Sequence, residues 1–330
     1  MKKFAGSLLA WCLSATLAFA AEANSKLDGI NLPPLEPSVT SFGAAVSGDY
    51  LYVYGGHLGK PHEYNDKSGS GTLRRLKLSV NSKWEELQAG PSRTGLAMVS
   101  HEGKLYRVGG FEAKNPQGKD WELFSTTDFS CFDPTSGQWT SLAPLPAGRS
   151  SHDAAVIGSK LYVVGGWNMQ GKNNTTWHTE ALVCDLSQSS PSWEVLKVAP
   201  PFQRRALAVA GWNNKLYVVG GMTEDGDMVT TVNVFDPSSQ TWAKGPDLPG
   251  EGSEGFGVSA FASDKGLLAT PRSGVVLRLD EAAQGWKEVS KLHTSRFFHR
   301  QVASASGDMV IVAGNAKSGK TGEVEIIKLP

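Results

Sequence analysis

The feature that most constrains the fold is a short segment that returns at nearly constant spacing along the chain. KLYVVGG occurs at residues 160–166 and again at 215–221, with variants at 50–56 and 104–110. The last residues of the four segments are 54, 56 and 55 positions apart: Gly56, Gly110, Gly166 and Gly221. A second series runs alongside it with spacings of 44 to 55 residues: Trp84, Trp139, Trp193, Trp242 and Trp286. Such a period indicates a repeat architecture in which each unit is one supersecondary element.

The sequence pattern within each unit predicts four strands. An apolar strand follows an arginine, as in RSSHDAAVI from Arg149, and a polar turn such as Gly158-Ser159 leads into the strand that ends in Gly-Gly. Two-residue polar turns are typical of tight hairpins, and glycine permits backbone angles that other residues avoid. A third strand ends in Phe-Asp-Pro at 132–134 and 235–237, and the Trp strand follows it. Four strands in about 50 residues are typical of a propeller blade.

Two further units are degenerate. KGLLATPRSGVVLRLD precedes Trp286, and MVIVAGN at 309–315 is followed by EVEIIKLP without a Trp strand. Residues 29–46 align with residues 139–156, so residues near 27–36 are predicted to supply the missing outer strand of the last blade. Pairing the two ends of the chain in this way closes the ring and removes an exposed sheet edge. The sequence therefore predicts an all-β, six-bladed propeller.

The organisation predicted from these units is one domain behind an export signal. Lys2 and Lys3 precede an apolar run that ends in Ala18-Phe19-Ala20, so residues 1–20 are interpreted as a secretory signal. A membrane anchor is the weaker interpretation because the apolar run is short. The protein is expected to be periplasmic or secreted. The blades are placed near residues 37–90, 91–146, 147–201, 202–249, 250–293, and 294–330 together with 27–36.

Charge and cysteine content limit the partners and cross-links. The formal net charge is zero and there is no run of Lys or Arg, so nucleic-acid binding is not expected. A monomer is expected. Cys131 and Cys184 fall one register apart in equivalent strands, so their side chains point to opposite sheet faces. This arrangement permits a disulfide between two packed sheets, and it equally permits two buried thiols.

The repeats resemble those of the kelch family. Four units carry both the glycine pair and the tryptophan, and the six units cover essentially all of the chain after residue 20. The resemblance implies a kelch propeller whose binding face is built by the loops that follow the Gly-Gly strands and by those that lead into the next blade. It does not fix the activity, because kelch propellers serve as scaffolds, lectin-like binders and enzymes.

Two enzyme types among kelch propellers are weakly similar to this chain. Galactose-oxidase-like copper proteins need a Tyr-Cys pair with further Tyr and His ligands, which Cys131 and Cys184 do not match. Exported sialic-acid mutarotases are closer in size, and their pattern has an acid directly after a Gly-Gly turn with an arginine downstream. Here the residues after the glycine pairs are His57, Phe111, Trp167 and Met222.

Ligand binding is expected on the loops that follow the Gly-Gly strands, because the repeats differ there. These loops are long in blades one to three and short in blades four to six, which predicts a cleft walled on one side. Their aromatic, amide and charged side chains suit sugars, although the rings could instead pack the loops together. The candidate residues are His57, His62, Glu63, Tyr64, Phe111, Trp121, Glu122, Trp167, Asn168, Asn173, Trp177 and His178.

Further candidates lie where the strand-opening position departs from the repeat. These are Arg205, Ser253, Glu254 and Phe297. Arg205 offers a fork-shaped cation to a carboxylate or phosphate, and Glu254 is a candidate general acid or base. A solvated charge at the rim is the alternative for both residues.

Two histidine pairs are candidate metal ligands. His57 and His62 share a loop, whereas His152 and His299 lie three residues after an arginine in opposite blades. Metal-bound nitrogens must come within about 2.1 Å of one ion, and no third ligand is fixed by the spacing. No metal or other cofactor is therefore predicted. The expected function is binding of a carbohydrate or other polar small ligand. The alternatives are a sugar-modifying enzyme of the mutarotase or epimerase type and a protein-interaction scaffold.

Overall fold

The computed structural model describes residues 32–172 and 174–329. The predicted signal and residues 27–31 of the predicted closing strand lie outside this range. The described chain is almost entirely β structure, with one short 3-10 helix at Gly252–Gly255. Within the same residues, no helix is long and apolar enough to cross a membrane.

Six blades follow one another along the chain, and each is an antiparallel sheet. Blades one to three contain β1 (Gly43–Ser47), β2 (Tyr50–Tyr54), β3 (Leu73–Lys77) and β4 (Trp84–Glu86); β5 (Ala97–His101), β6 (Lys104–Val108), β7 (Phe111–Ala113), β8 (Leu123–Ser125), β9 (Phe129–Asp133) and β10 (Gln138–Ser141); and β11 (Asp153–Ile157), β12 (Lys160–Val164), β13 (Trp167–Met169), β14 (Thr175–Trp177), β15 (Leu182–Asp185) and β16 (Trp193–Val195).

The remaining strands form the other three blades. Blades four to six contain β17 (Arg204–Arg205), β18 (Ala208–Trp212), β19 (Lys215–Val219), β20 (Met222–Thr223), β21 (Val232–Asp236) and β22 (Thr241–Lys244); β23 (Ser259–Ser263), β24 (Gly266–Thr270), β25 (Val275–Leu279) and β26 (Trp286–Lys291); and β27 (Arg296–Phe297), β28 (Arg300–Ala303), β29 (Met309–Ala316) and β30 (Gly319–Ile327). The innermost strands contact one another in the order β1, β5, β11, β18, β23, β28 and back to β1, which confirms the six-bladed ring.

Among the described residues, buried apolar side chains form one cluster between each pair of adjacent blades, and a small seventh cluster joins the β7–β8 and β13–β14 hairpins. The strands that end in Gly-Gly are apolar without alternation because both of their faces are covered by neighbouring blades. In β12, for example, every residue from Leu161 to Val164 is buried. The core is therefore a ring of blade interfaces.

The repeated tryptophans join neighbouring blades. The indole Nε1 of each one donates a hydrogen bond to a backbone carbonyl of the preceding blade, at 2.8–3.4 Å. The donor and acceptor pairs are Trp84 with Pro33, Trp139 with Gln88, Trp193 with Ala143, Trp242 with Val198, and Trp286 with Pro246.

The glycine pairs also join neighbouring blades. The amide of Gly166 donates to the carbonyl of Arg204 in the next blade at 2.8 Å, and Gly56 donates to Arg93 in the same way. The arginine side chains instead bond within their own blade: Arg149 donates to the carbonyl of Gly165 at 2.9 Å and to the carboxylate of Glu180 at 2.7 Å. The glycine pairs therefore add main-chain hydrogen bonds to the tryptophan side-chain bonds between neighbouring blades.

Alanine at Gly165 is expected to destabilise the protein by about 3 kcal/mol or more. Gly165 has φ +73°, and a Cβ there would lie 2.6 Å from the Arg204 carbonyl oxygen and 2.6 Å from Leu207. Gly48→Ala is the matched control, because Gly48 has φ +55° with nothing within 4 Å and should lose only about 1 kcal/mol. Urea unfolding measures both changes; equal losses would contradict a role for the close approach.

Six residues with left-handed backbone encircle the axis just before the innermost strands. We call them the floor ring; their φ values are 50–67°, and they are Ser41, Gly95, Ser151, Ala206, Gly257 and Phe298. The amide of each of the last five donates to the carbonyl of the member before it, at 2.7–2.9 Å. These head-to-tail bonds hold one end of all the innermost strands together.

An ion pair crosses the axis below the floor ring. Arg300 of blade six donates to the carboxylate of Asp153 in the opposite blade three at 2.8 Å. The same guanidinium donates to the carbonyls of Phe42 and Leu96, and Asp153 accepts from the amide of Val209 at 3.0 Å. We call Arg300 and Asp153 the axial pair; together they contact blades one, two and four as well as their own.

The two ends of the described chain meet in blade six. The amide of Leu35 donates to the carbonyl of Gly322 in β30 at 2.7 Å, and Leu32 and Leu35 pack against Val310 and Val312. Residues 32–36 form no strand of their own. In the described part of the chain, closure includes this backbone bond, the apolar packing, the Trp84 bond to Pro33 and the Arg300 bond to the Phe42 carbonyl.

Cys131 and Cys184 are both free thiols. They lie in the same apolar cluster between blades two and three, together with Tyr106. Burial is the main reason that the pKa of Cys184 is raised to about 11 and that of Tyr106 to about 12. A high thiol pKa leaves little thiolate, so both cysteines act as small core residues here.

Candidate ligand-binding cleft

One rim of the propeller carries a cleft of about 970 Å³. Its bottom is formed by members of the floor ring, Ser41, Gly95, Ser151 and Phe298. The axial pair lies beneath the ring and spans the channel. The cleft is therefore a cup with a closed base, and its walls are the loops that follow the Gly-Gly strands.

The loops of blades one to three form one continuous wall. The side-chain amide of Asn115 donates to the carbonyl of Tyr64 at 2.7 Å, and the Asn115 carbonyl accepts from the amide of Asp66. The β7–β8 and β13–β14 hairpins are bridged at Phe124 and Gln170. These bonds make the wall one bonded unit instead of three separate loops.

Tyr64 is the centre of an aromatic group in this wall. Its ring centroid lies 4.7 Å from that of His57 and 5.5 Å from those of Phe111 and Trp121. Burial raises the pKa of Tyr64 and lowers that of His57, so the phenol is protonated and the imidazole is neutral near pH 7. Trp121 is 47% exposed and presents its indole at the mouth.

Arg205 enters the cleft from blade four, where β17 pairs with β20. Its guanidinium carbon lies 4.1 Å from the ring centroid of Trp167 and 5.9 Å from that of Phe256. Burial lowers its pKa, and none of the described carboxylates forms an ion pair with it. Its Nη2 contacts the sulfur of Met222 at 3.1 Å. A partly buried guanidinium without an anion is unfavourable in the free protein.

The opposite wall, from blades five and six, is also aromatic. The ring centroids of Phe256 and Phe298 are 5.1 Å apart, and those of Phe297 and Phe298 are 5.0 Å apart. The exposed guanidinium of Arg272 lies 4.5 Å above the ring of Phe297. Two aromatic walls thus face each other across the axis.

The lining is strongly basic although the chain as a whole is neutral. Its described basic residues are Lys119, Lys172, Arg205, Arg272 and Lys320, and its one carboxylate is that of Asp120. Asp120 pairs with Lys172 at 3.0 Å. Lys320 donates to the carbonyl of Leu58, and burial lowers its pKa. The cleft therefore carries a net positive charge.

Several polar atoms of lining residues are buried without a hydrogen-bond partner. They are His57 Nδ1, Trp167 Nε1, Arg205 Nε and Asn315 Oδ1. Such atoms also occur outside the cleft, for example at Arg149, Arg204 and Arg296, and those in the lining lie on residues that a ligand would contact.

The structure brings some of the predicted site residues together at the cleft. The lining includes His57, His62, Tyr64, Phe111, Trp121, Trp167, Arg205 and Phe297. Other candidates lie outside it: Glu63, Glu122, Asn168, Trp177, His178, Ser253 and Glu254. Asn173 is not among the described residues.

Two of the residues outside the lining, His178 and Trp177, contact other residues of blade three. The imidazole of the buried His178 bonds to the Gly148 carbonyl and to Glu180, each at 3.0 Å, and so supports the partner of Arg149. Trp177 packs its ring against that of Trp167 at 5.5 Å.

Glu254 belongs to the 3-10 helix, and its carboxylate accepts from the amide of Ser273 at 2.9 Å. The backbone carbonyl of Gly255 accepts a hydrogen bond from the amide of Gly221. In other blades the backbone carbonyls of Arg204 and Arg93 accept the equivalent bond from a glycine pair. Gly255 therefore occupies the arginine position of blade five. It is Phe256, and not Glu254, that is equivalent to Arg205 and Phe297.

The histidines do not assemble a metal centre. Among the described residues, no group of three or more His, Cys, Asp or Glu side chains is placed to hold a metal ion. His57 is buried and His62 is exposed. His152 and His299 are both 3% exposed and occupy the apolar position held by Leu96 and Leu207 in other blades.

Sequence reasoning missed half of the charged, aromatic and amide side chains in the lining. The missed residues are Lys119, Asp120, Lys172, Phe256, Arg272, Phe298, Asn315 and Lys320. Phe256 and Phe298 could have been found by aligning the repeats on the arginine position. Arg272 lies in a short turn and Lys320 lies at the start of β30, and the sequence around them carries no sign that they reach the cleft.

Six blades around a closed floor, with one loop-walled cleft, define a propeller of a type that binds ligands or protein partners. A family model described as the KLHDC2/KLHL20/DRC7 Kelch-repeats domain matches residues 41–268. The chain belongs to the kelch-repeat family.

Comparisons with individual proteins agree on the fold. Kelch-like protein 35 of Mus musculus is 28% identical over 199 residues, which are 60% of this chain and 29% of the relative. Kelch-like protein terF of Aspergillus terreus is 27% identical over 226 residues, 67% of this chain and 46% of the relative. The chain thus spans less than half the length of either relative.

A solved structure is similar over nearly the whole molecule. The structure of YjhT superposes with a TM-score of 0.69 and 17% identity, and the match covers 90% of this chain and 99% of YjhT. At this level of identity the likeness concerns the fold alone.

Proposed function

We propose that this protein is an exported kelch propeller that binds a carbohydrate or other polar small ligand in the cleft. The observation that carries the proposal is Arg205, a half-buried cation stacked on Trp167 that has no anion among the described residues. A ligand with acceptor oxygens would satisfy this guanidinium and the unpartnered Nε1 of Trp167. Export remains a proposal that rests on residues 1–20.

The chemistry of the walls suits flat, hydroxylated molecules. Aromatic rings such as Trp121 and Phe297 offer faces on which a sugar ring can stack, and neighbouring polar groups can bond its hydroxyls. The wall of blades one to three is hydrogen-bonded before any ligand arrives. Less ordering is therefore needed on binding, which favours affinity for a small molecule.

Binding is favoured over sugar chemistry by the groups in the lining. Glycoside hydrolysis usually needs two carboxyl groups that flank the bond, and the described lining has only Asp120, which is 83% exposed and paired with Lys172. His57 and Tyr64 could exchange protons in a mutarotase-like reaction, so an enzyme of that type is the second candidate.

Arg205→Met is expected to weaken ligand binding by about ten- to a hundredfold, because a charge-assisted hydrogen bond is lost while the apolar stem still covers Trp167. Thermal-shift screening with neutral and acidic sugars identifies ligands, and calorimetry measures the affinity. The control is Lys83→Met, at an exposed residue outside the cleft. An anomer-exchange assay on each ligand separates binding from mutarotase activity.

The screen can contradict the proposal in two ways. If no sugar or other polar small molecule shifts the melting temperature, the ligand-binding function is wrong. If a ligand binds Arg205→Met and Lys83→Met equally well, its site is not the one described.

A further inference from the structure

We propose that the cleft selects acidic oligosaccharides, chains of at least two sugar units that carry carboxylate or sulfate groups. This inference rests on the proposed function and concerns the charge and the length of the ligand. It follows from the way in which the cations and the rings are distributed around the cleft.

The cations come from five consecutive blades. Lys119 and Lys172 stand on the hairpins of blades two and three, Arg205 on blade four, Arg272 on blade five and Lys320 on blade six. One small anion can contact only neighbouring members of this series. A ligand with several anionic groups along its length can satisfy members on different blades at once.

Most of this charge has no counter-ion in the protein. Asp120 neutralises Lys172, whereas Arg205, Arg272, Lys119 and Lys320 form no ion pair with the described carboxylates. Arg205 and Lys320 are also desolvated, since burial lowers the pKa of each. Cations that line one cleft give it a positive potential, which favours an anionic ligand.

The positions of the aromatic rings indicate how many sugar units the ligand has. Trp121 of blade two stands opposite Phe256 of blade five, and Trp167 of blade three stands opposite Phe297 of blade six. A chain of two or more sugar units can stack on both walls at once. The cleft volume of about 970 Å³ is at the upper end of the range for small-molecule sites, which leaves space for more than one unit.

The test measures calorimetric affinities of the full protein for matched sugars. The probes are tetragalacturonate, its methyl ester, which lacks the charges, and monomeric galacturonate; hyaluronan and chondroitin sulfate tetrasaccharides test other backbones and sulfate. At least one acidic tetrasaccharide is expected to have an affinity at least about tenfold higher than that of its uncharged form and than that of its monomer. High salt should weaken the binding of this tetrasaccharide.

Variants locate the effect. Arg272→Gln and Lys119→Gln are expected to weaken binding of the acidic tetrasaccharide severalfold and to weaken any binding of its methyl ester less. Both residues are exposed, so the fold should tolerate the changes, and Lys83→Gln is the control. If carboxylate and sulfate chains differ in affinity, the better one identifies the anionic group.

Three results would overturn the inference. The first is that no acidic tetrasaccharide binds more tightly than the uncharged one. The second is that monomeric galacturonate binds as tightly as the tetrasaccharide. The third is that the two lining variants bind like Lys83→Gln. Tight binding of a neutral or monomeric sugar would overturn only this inference, whereas failure of every sugar and other polar small molecule would also overturn the proposed function.

Discussion

Replacing Arg300 by methionine is expected to lower the free energy of unfolding by about 3 kcal/mol or more. The substitution removes three hydrogen bonds at 2.8–3.1 Å, to Asp153, Phe42 and Leu96. It also leaves the Asp153 carboxylate, whose side chain is 6% exposed, without its cation. Losing one partner of a buried pair is costly because the remaining charge stays desolvated. Chemical unfolding monitored by tryptophan fluorescence measures the change.

Two further variants isolate the axial pair. Glu63→Gln removes the exposed ion pair with Lys60 and should change stability by less than about 0.5 kcal/mol. The double variant Arg300→Met with Asp153→Asn should be less destabilised than the sum of its two single variants, because the stranded charge is removed. The expectation is contradicted if Arg300→Met is as mild as Glu63→Gln.

The protein is expected to lose stability steeply in mild acid because of His152 and His299. Burial lowers the pKa of both, to about 3 for His299, and nearby cations act in the same direction: Arg149 and Arg300 on His152, and Arg296 and Arg300 on His299. His178 also faces His152.

The sign of the effect follows from proton binding. The folded state keeps both imidazoles neutral, whereas the unfolded chain protonates them below about pH 6.5. Stability is therefore complete above about pH 6.5 and is lost as the pH falls from there towards 3. Each histidine contributes up to about a tenfold change in the folding equilibrium per pH unit. Burial also lowers the pKa of His57 and that of His178.

The double variant His152→Leu with His299→Leu should flatten this pH dependence. Leucine already stands at the equivalent position in two blades, at Leu96 and Leu207, so the slot accepts its shape. Chemical unfolding at pH 7.5 and pH 5 measures the slope, with His62→Leu at an exposed site as the control. An unchanged slope in the double variant would assign acid sensitivity to other groups.

The fold was accessible from sequence because its signals are local and repeated. The glycine pairs mark strand ends where the backbone approaches the next blade, as Gly165 shows against Arg204. The tryptophans mark a hydrogen bond to the preceding blade, and the N-terminal alignment anticipated the contact of Leu35 with Gly322. Each of these features is imposed by the same interface in every repeat.

The axial pair shows what repeat comparison could still have found. The first residue of the innermost strand is Gly43, Ala97, Ala208 or Ser259 in four blades. Opposite charges at Asp153 and Arg300 break that pattern in blades three and six. Their contact could be inferred only after the six-fold closure had placed those two blades on opposite sides of the axis.

The cleft was only partly predictable. Loop length is visible in sequence, and residues of the long loops such as Tyr64 and Trp167 line the cleft in the structure. The place of Glu254 was misjudged by two residues, since the degenerate blade five lacks the arginine that marks the register. The backbone bond from Gly221 to Gly255 resolves that ambiguity.

The sequence by itself determined the architecture: the period set the number of blades, and the turn residues and apolar runs set the strands within them. Only the tertiary structure decided which side chains share the cleft. Arg205, Arg272 and Lys320 lie on three different blades, and their convergence depends on ring closure and on the path of each loop. Local patterns encode burial and turns, whereas the charge of a cleft is a sum over distant residues that only the closed ring brings together.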